Sequence, residues 1–153
     1  MKAPGRQLLM LAASSNFFIA ALHILIIAFG PSWYRYFGAP PMAEMIERGS
    51  LLLPTLLTLI GVLVFAIMGF YALSALGIVR RLPLLRTGLV CIGSMFVLRS
   101  ILLVPLVVMV IRGAFIPPRF FVFSVFSLFV GVCYLWGTAC SWSAIPKKHV
   151  HSA

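Results

Sequence analysis

Four long stretches of this chain carry almost no charge, and their spacing constrains the fold more than any other feature. Between Arg6 and Arg35 lie 28 uncharged residues, between Arg48 and Arg80 lie 31, and between Arg119 and Lys147 lie 27. The fourth stretch, Arg86 to Arg112, is interrupted once, by Arg99, with 12 uncharged residues on either side. A helix that crosses a bilayer needs roughly 20 apolar residues. The chain therefore predicts four spans, at about 8–30, 51–79, 84–112 and 119–145, with an outer loop at 31–50. Barrel strands are shorter and alternate in polarity. In lipid the backbone must satisfy its own hydrogen bonds, so each run predicts a helix. The connections Arg80–Pro83 and Gly113–Pro118 are short and force antiparallel neighbours. The expected fold class is all-α: one integral-membrane domain built as an antiparallel four-helix bundle.

Composition sets the limits on function. Of 153 residues, 63% are hydrophobic and 9% charged, and the net charge is +10. Soluble domains are about 45–50% apolar and about 25% charged. A soluble enzyme, a nucleic-acid-binding domain and a large extramembrane domain are thereby excluded. The first run begins with Lys2 and Arg6 and stays apolar to Gly30 without a small-residue cleavage site, so it reads as a span and not as a leader.

Basic residues in short loops orient the spans. Lys2, Arg6, Arg80, Arg81, Arg86, Lys147 and Lys148 share one side. Arg35, Arg48, Arg112 and Arg119 share the other, along with Glu44 and Glu47. The bias predicts a multi-pass protein of the bacterial inner membrane with both termini cytoplasmic. The loop from Arg80 to Arg86 then faces anionic lipid, where each basic residue gains about 1 kcal/mol. Membrane lipids are the expected partners, without nucleic acid. In the outer loop, Trp33, Tyr34 and Tyr36 predict an interfacial aromatic belt. Pro40 and Pro41 break the chain, and Met42 to Arg48 can start a helix, because proline is tolerated in a first turn.

Cys91, Cys133 and Cys140 all fall within spans and form no Cys-x-x-Cys pair. They read as small apolar fillers, and a thiol oxidoreductase is not expected. His23 is the one histidine in a span. It supplies no paired axial ligands for a haem. His149 and His151 lie in the tail, which reads as solvated. No cofactor and no metal site is expected.

The residues least suited to lipid carry the functional expectation. Arg99 lies about 20 Å from the flanking arginines at 1.5 Å per residue. Placing arginine at a helix centre costs about 2.5–3.5 kcal/mol. It is expected to face the bundle interior and to find acceptors there. Counting depth along each span places His23, Thr58, Arg99, Ser100, Ser124 and Ser127 at one level. Asn16 shares a stripe with Ala12, Ala20 and His23. Pro54, Thr58, Gly61, Gly69 and Ala72 form a second stripe, and Ser124, Ser127, Gly131 and Thr138 a third. Small and weakly polar stripes mark helix–helix contact. Asn16 and His23 read either as interhelical hydrogen bonds or as a ligand or proton site. Glu47 reads as an interfacial ion pair with Arg48, or as a carboxylate over the mouth of the polar layer, coupled to His23 or Arg99. The candidate ligand-binding set is His23, Glu47, Thr58, Arg99, Asn16, Ser124 and Ser127, with no catalytic residue assigned.

His23, the turns around Phe29 to Phe37, Glu47-Arg48-Gly49-Ser50, Tyr71-Ala-Leu-Ser74, Leu82-Pro-Leu-Leu-Arg86 and Leu98-Arg99-Ser100 together resemble small bacterial inner-membrane proteins with four spans. The resemblance implies a fold and a location, not an activity. The chain also resembles the membrane-associated eicosanoid and glutathione metabolism family in length, span number, basic balance, the Glu47-Arg48 pair and an arginine in the third span. It departs from that family in lacking an asparagine and a second glutamate in the second span. Small multidrug transporters are similar in span number, but carry a first-span glutamate that is absent here.

The leading expectation is a non-catalytic accessory subunit, or a binder of a lipid-like or small anionic ligand in an intramembrane polar pocket. A membrane-protein partner or a homo-oligomer fits the same reading. The alternatives are a small transporter or channel subunit, and a membrane enzyme of lipid or thiol metabolism using His23 with Glu47.

Overall fold

The computed structural model describes residues 3–145. Lys2, Lys147, Lys148, His149 and His151 lie outside the described residues. The described chain is all-helical. Four segments are long and apolar enough to cross a membrane: Ala3–Phe29, Leu52–Ala75, Leu85–Ile111 and Pro118–Ser141. Each matches one charge-poor window. In chain order the helices are α1 (Ala3–Phe29), α2 (Pro31–Tyr36), α3 (Pro40–Glu47), α4 (Leu52–Ala75), α5 (Leu85–Ser100), α6 (Leu103–Ile111) and α7 (Pro118–Ser141).

Two of these were not expected. The outer loop holds α2 as well as α3, each opened by proline within its first two positions. Proline suits that place because its missing N–H would have no helical partner anyway. The third span is also not one helix. It breaks between Ser100 and Leu103. Pro105 has no N–H to give the carbonyl of Ile101, and its ring crowds the preceding turn. The Ile101 carbonyl accepts from the Val104 N–H at 3.0 Å instead, and the Leu102 N–H reaches the Arg99 carbonyl at 3.3 Å. The local turn thus tightens to i→i+3 bonding.

The chain forms two compact units. The first is Ser14–Gly69, comprising the second half of α1, α2, α3 and most of α4. Here α1 and α4 run antiparallel at close range. A Cβ added at Gly61 would meet His23 Cδ2 at 3.0 Å, and one at Gly69 would meet the Phe17 ring at 3.0 Å. The α2–α3 segment has its own small core of Ile26, Tyr34 and Ala43, with Trp33, Phe37 and Met42 packed around it. Gly49 ends α3 at φ 89°, a conformation open to glycine at no steric cost. The turn lets the Ser50 N–H cap the Met45 carbonyl at 2.9 Å.

The second unit joins the described parts of Met1–Ala13 and Phe70–Ala153. Its centre is the antiparallel pair α5 and α7. Leu85, Leu89, Ile92, Gly93, Phe96 and Ser100 form the buried side of α5. Facing them, α7 buries Ser124, Ser127, Val130, Gly131, Tyr134 and others. A Cβ at Gly131 would meet the Val97 nitrogen at 2.9 Å and the Gly93 oxygen at 3.0 Å, so the two backbones touch there. This is the close approach that small residues permit between membrane helices. The start of α1 packs on the end of α7: a Cβ at Gly137 would meet Leu9 Cγ at 3.0 Å. By contrast, α6 buries no residue.

Candidate functional site

The seven candidate residues divide between the units. Asn16, His23, Glu47 and Thr58 belong to the first; Arg99, Ser124 and Ser127 belong to the second.

In the first unit, His23 is half-buried. Its Nδ1–H donates to the Ile19 carbonyl at 2.8 Å, one turn back. A neutral ring then carries its lone pair on Nε2, on the side where Gly61 leaves room. The ring lies 5.0 Å, centroid to centroid, from Phe65. Asn16 is fully buried. Thr58 is engaged elsewhere. Its hydroxyl donates to the Pro54 carbonyl at 2.8 Å, and the Tyr34 hydroxyl lies 2.9 Å from Thr58 Oγ1. With the Thr58 proton on Pro54, Tyr34 is the donor. Tyr34 is only 2% exposed, so it is not part of an aromatic belt. It anchors α2 to α4. Trp33 stacks on Phe29 at 4.4 Å.

Glu47 has a different counter-ion from the expected one. Arg35, on α2, holds both of its carboxylate oxygens, at 2.6 and 2.5 Å. Arg48 lies instead 3.8 Å from Glu44, one turn away on exposed surface. The paired geometry of a guanidinium on a carboxylate explains the preference, because two parallel bonds form at once. The Arg35 guanidinium holds the Glu47 carboxyl below the usual carboxylate range. Glu47 is therefore an ion-pair clasp between α2 and α3.

In the second unit, Ser124 is buried, and its hydroxyl donates to the Phe120 carbonyl at 3.0 Å. Ser127 is buried on the same face of α7. Ser100, also buried, donates to the Val97 carbonyl at 2.5 Å. Arg99 does not face the interior. It is exposed, and among the described residues its guanidinium makes no hydrogen bond or ion pair. The reason is angular. The buried side of α5 follows Leu85, Leu89, Ile92, Phe96 and Ser100, and at 100° per residue Arg99 falls off its edge, beside Met95.

Arg86 corrects a second expectation. It does not simply extend the basic loop toward lipid. Its Nη2 donates to the Trp142 carbonyl at 2.6 Å, its Nε donates to the Ile145 carbonyl at 2.9 Å, and its guanidinium lies 4.8 Å over the Trp142 ring. The carbonyl end of a helix carries partial negative charge, so a cation is favoured there. Arg80 and Arg81 remain exposed.

Sequence reasoning missed Tyr34, Arg35 and Arg86 as internal partners. Arg35 and Glu47 are 12 residues apart, and Tyr34 and Thr58 are 24 apart, so no local period links them. The proline at each helix start was the available signal for α2. Among the described residues no three histidine, cysteine or acidic side chains converge to hold a metal. No protein-family model matches the chain, and neither a curated protein nor a solved structure matches it.

Proposed function

We propose that this multi-pass membrane protein is a non-catalytic accessory subunit of the bacterial inner membrane, and that Arg99 engages an anionic group supplied from outside the chain. The supporting observation is the exposure of Arg99 near the middle of its span without a partner among the described residues. A charged side chain in lipid is costly and is normally paired. The chain's carboxylates, Glu44 and Glu47, are both in ion pairs of the α2–α3 segment. Acid–base chemistry has little to work with here, since Glu47 is held by Arg35 and the Thr58 hydroxyl is spent on Pro54. The excess of basic residues at the α4–α5 turn favours a cytoplasmic position for that turn and for both termini.

Native mass spectrometry of the chain released from its own membranes in mild detergent tests the proposal. The wild-type chain should carry bound mass, whether lipid, small anion or protein, that Arg99→Leu loses and Arg112→Leu keeps. Identical bound mass in wild type and Arg99→Leu would contradict it.

A further inference from the structure

We infer that the outward face of α5, with Arg99 at its edge, is a docking surface for a transmembrane helix of another protein that carries an Asp or Glu at mid-depth. The inference rests on the proposed function above and names the anionic group.

Three observations carry it. First, the face is open. Leu98 is 67% exposed, and Met95 and Leu102 are exposed on either side of Arg99. Beyond the break, α6 buries nothing, so the second half of the span leaves the same side uncovered. Second, small and weakly polar residues interrupt the apolar ones on this face. Thr87, Cys91 and Ser94 are all exposed along it, about one turn apart, whereas the bulkier Leu89, Ile92 and Phe96 face α7. Small, weakly polar residues at helical spacing permit close backbone approach by a neighbouring helix. Third, the charge must be met at that depth. Arg99 lies 14 residues from one end of its span and 12 from the other. Phosphates bounding a core of about 30 Å sit about 15 Å from its centre, farther than an extended arginine side chain reaches.

A second copy of this chain fits less well. A two-fold contact over this face would bring like patches together, placing Arg99 near Arg99 in a low-dielectric setting. Glu44 and Glu47 lie in α3, outside the four spans, so a second copy brings no carboxylate to mid-depth. A partner helix with a central carboxylate supplies the opposite charge, and its other residues can lie against Thr87, Cys91 and Ser94. A guanidinium and a carboxylate can then pair through two parallel hydrogen bonds.

The test uses the full chain in phosphatidylcholine vesicles containing a minor share of phosphatidylglycerol, with fluorescent poly-leucine transmembrane peptides bearing Glu, Gln or Leu at the centre. Energy transfer reports association. The Glu peptide should bind about tenfold more tightly than the Leu peptide. That preference should vanish with Arg99→Leu and persist with Arg112→Leu. A bulky face variant, Ser94→Phe, should weaken Glu-peptide binding while Arg99 is intact. Circular dichroism of each variant shows whether it has folded; if Arg99→Leu has not, Arg99→Gln takes its place. Equal binding of the Glu and Leu peptides to the wild-type chain overturns the inference. So does Arg99-dependent enrichment of phosphatidylglycerol without any peptide preference, which assigns the site to a lipid headgroup and leaves the proposed function standing. Self-association of the chain alone, relieved by Ser94→Phe, overturns it in favour of a second copy. If native spectra also lack any Arg99-dependent mass, the proposed function falls with it.

Discussion

Glu47 shows how one partner changes the role of a residue. Next to Arg48 in sequence, it pairs instead with Arg35 through both carboxylate oxygens. Because Arg35 lowers its pKa, the contribution of Glu47 to folding is present above the unfolded value. It is lost as pH falls through the folded one. Protection factors for amide exchange of residues 34–47 in nanodiscs, taken against the intrinsic rate at each pH, should therefore stay high at neutral pH and fall as the pH drops below about 4.3, the usual carboxylate value. Glu47→Gln should show low protection throughout, with the pH response of Glu47 removed. Gly131 makes a second residue-scale prediction. Its backbone touches that of Gly93, so Gly131→Ile should destabilise the α5–α7 pair by about 1–3 kcal/mol. Equilibrium unfolding in mixed micelles measures this, with the exposed Val132→Ile as the unaffected control. The glycine stripe was visible in the sequence because helical spacing is local. The Tyr34–Thr58 bond was not, because it depends on where α2 turns the chain.

At the scale of elements, the third span carries the most information. Its apolar length was plain from the charge spacing, and Pro105 stood in the sequence as a helix breaker. A window long enough to detect a span averages over a single proline, which is why the break between α5 and α6 was not anticipated. Proline inside a helix costs about 3 kcal/mol. Pro105→Leu should restore the N–H to Ile101, join α5 to α6 and slow amide exchange at residues 101–105. Unchanged exchange there would mean that something other than Pro105 opens the turn. The end of α7 depends on Arg86 in a comparable way. The sequence fixes the charge of Arg86, but its use as a cap for Trp142 and Ile145 appears only when the ends of α5 and α7 are side by side.

For the molecule as a whole, the four spans follow from where charges are missing, and the proposed orientation rests on where basic residues collect. A phosphatase reporter inserted in the turn at Arg80–Pro83 should be inactive, and one inserted at Gly38 should be active, if the termini are cytoplasmic. The reverse pattern would invert the topology. The place of Arg99 near the middle of its span was also legible, since it needs only residue counting. The direction Arg99 faces was not, because a helix with apolar residues all round gives little angular signal, and Arg99 stands at the edge of the side that packs on α7. The proposed role of Arg99 depends most on that direction. Nitroxide labels at Met95, Leu102, Phe96 and Val130, in a cysteine-free chain reconstituted alone in phosphatidylcholine, measure it by collision with oxygen dissolved in the bilayer. The structure predicts high collision rates at Met95 and Leu102, which flank Arg99, and low rates at Phe96 and Val130, which are 3% and 0% exposed. Protection at Met95 and Leu102 with free collision at Phe96 would turn Arg99 inward and contradict the account.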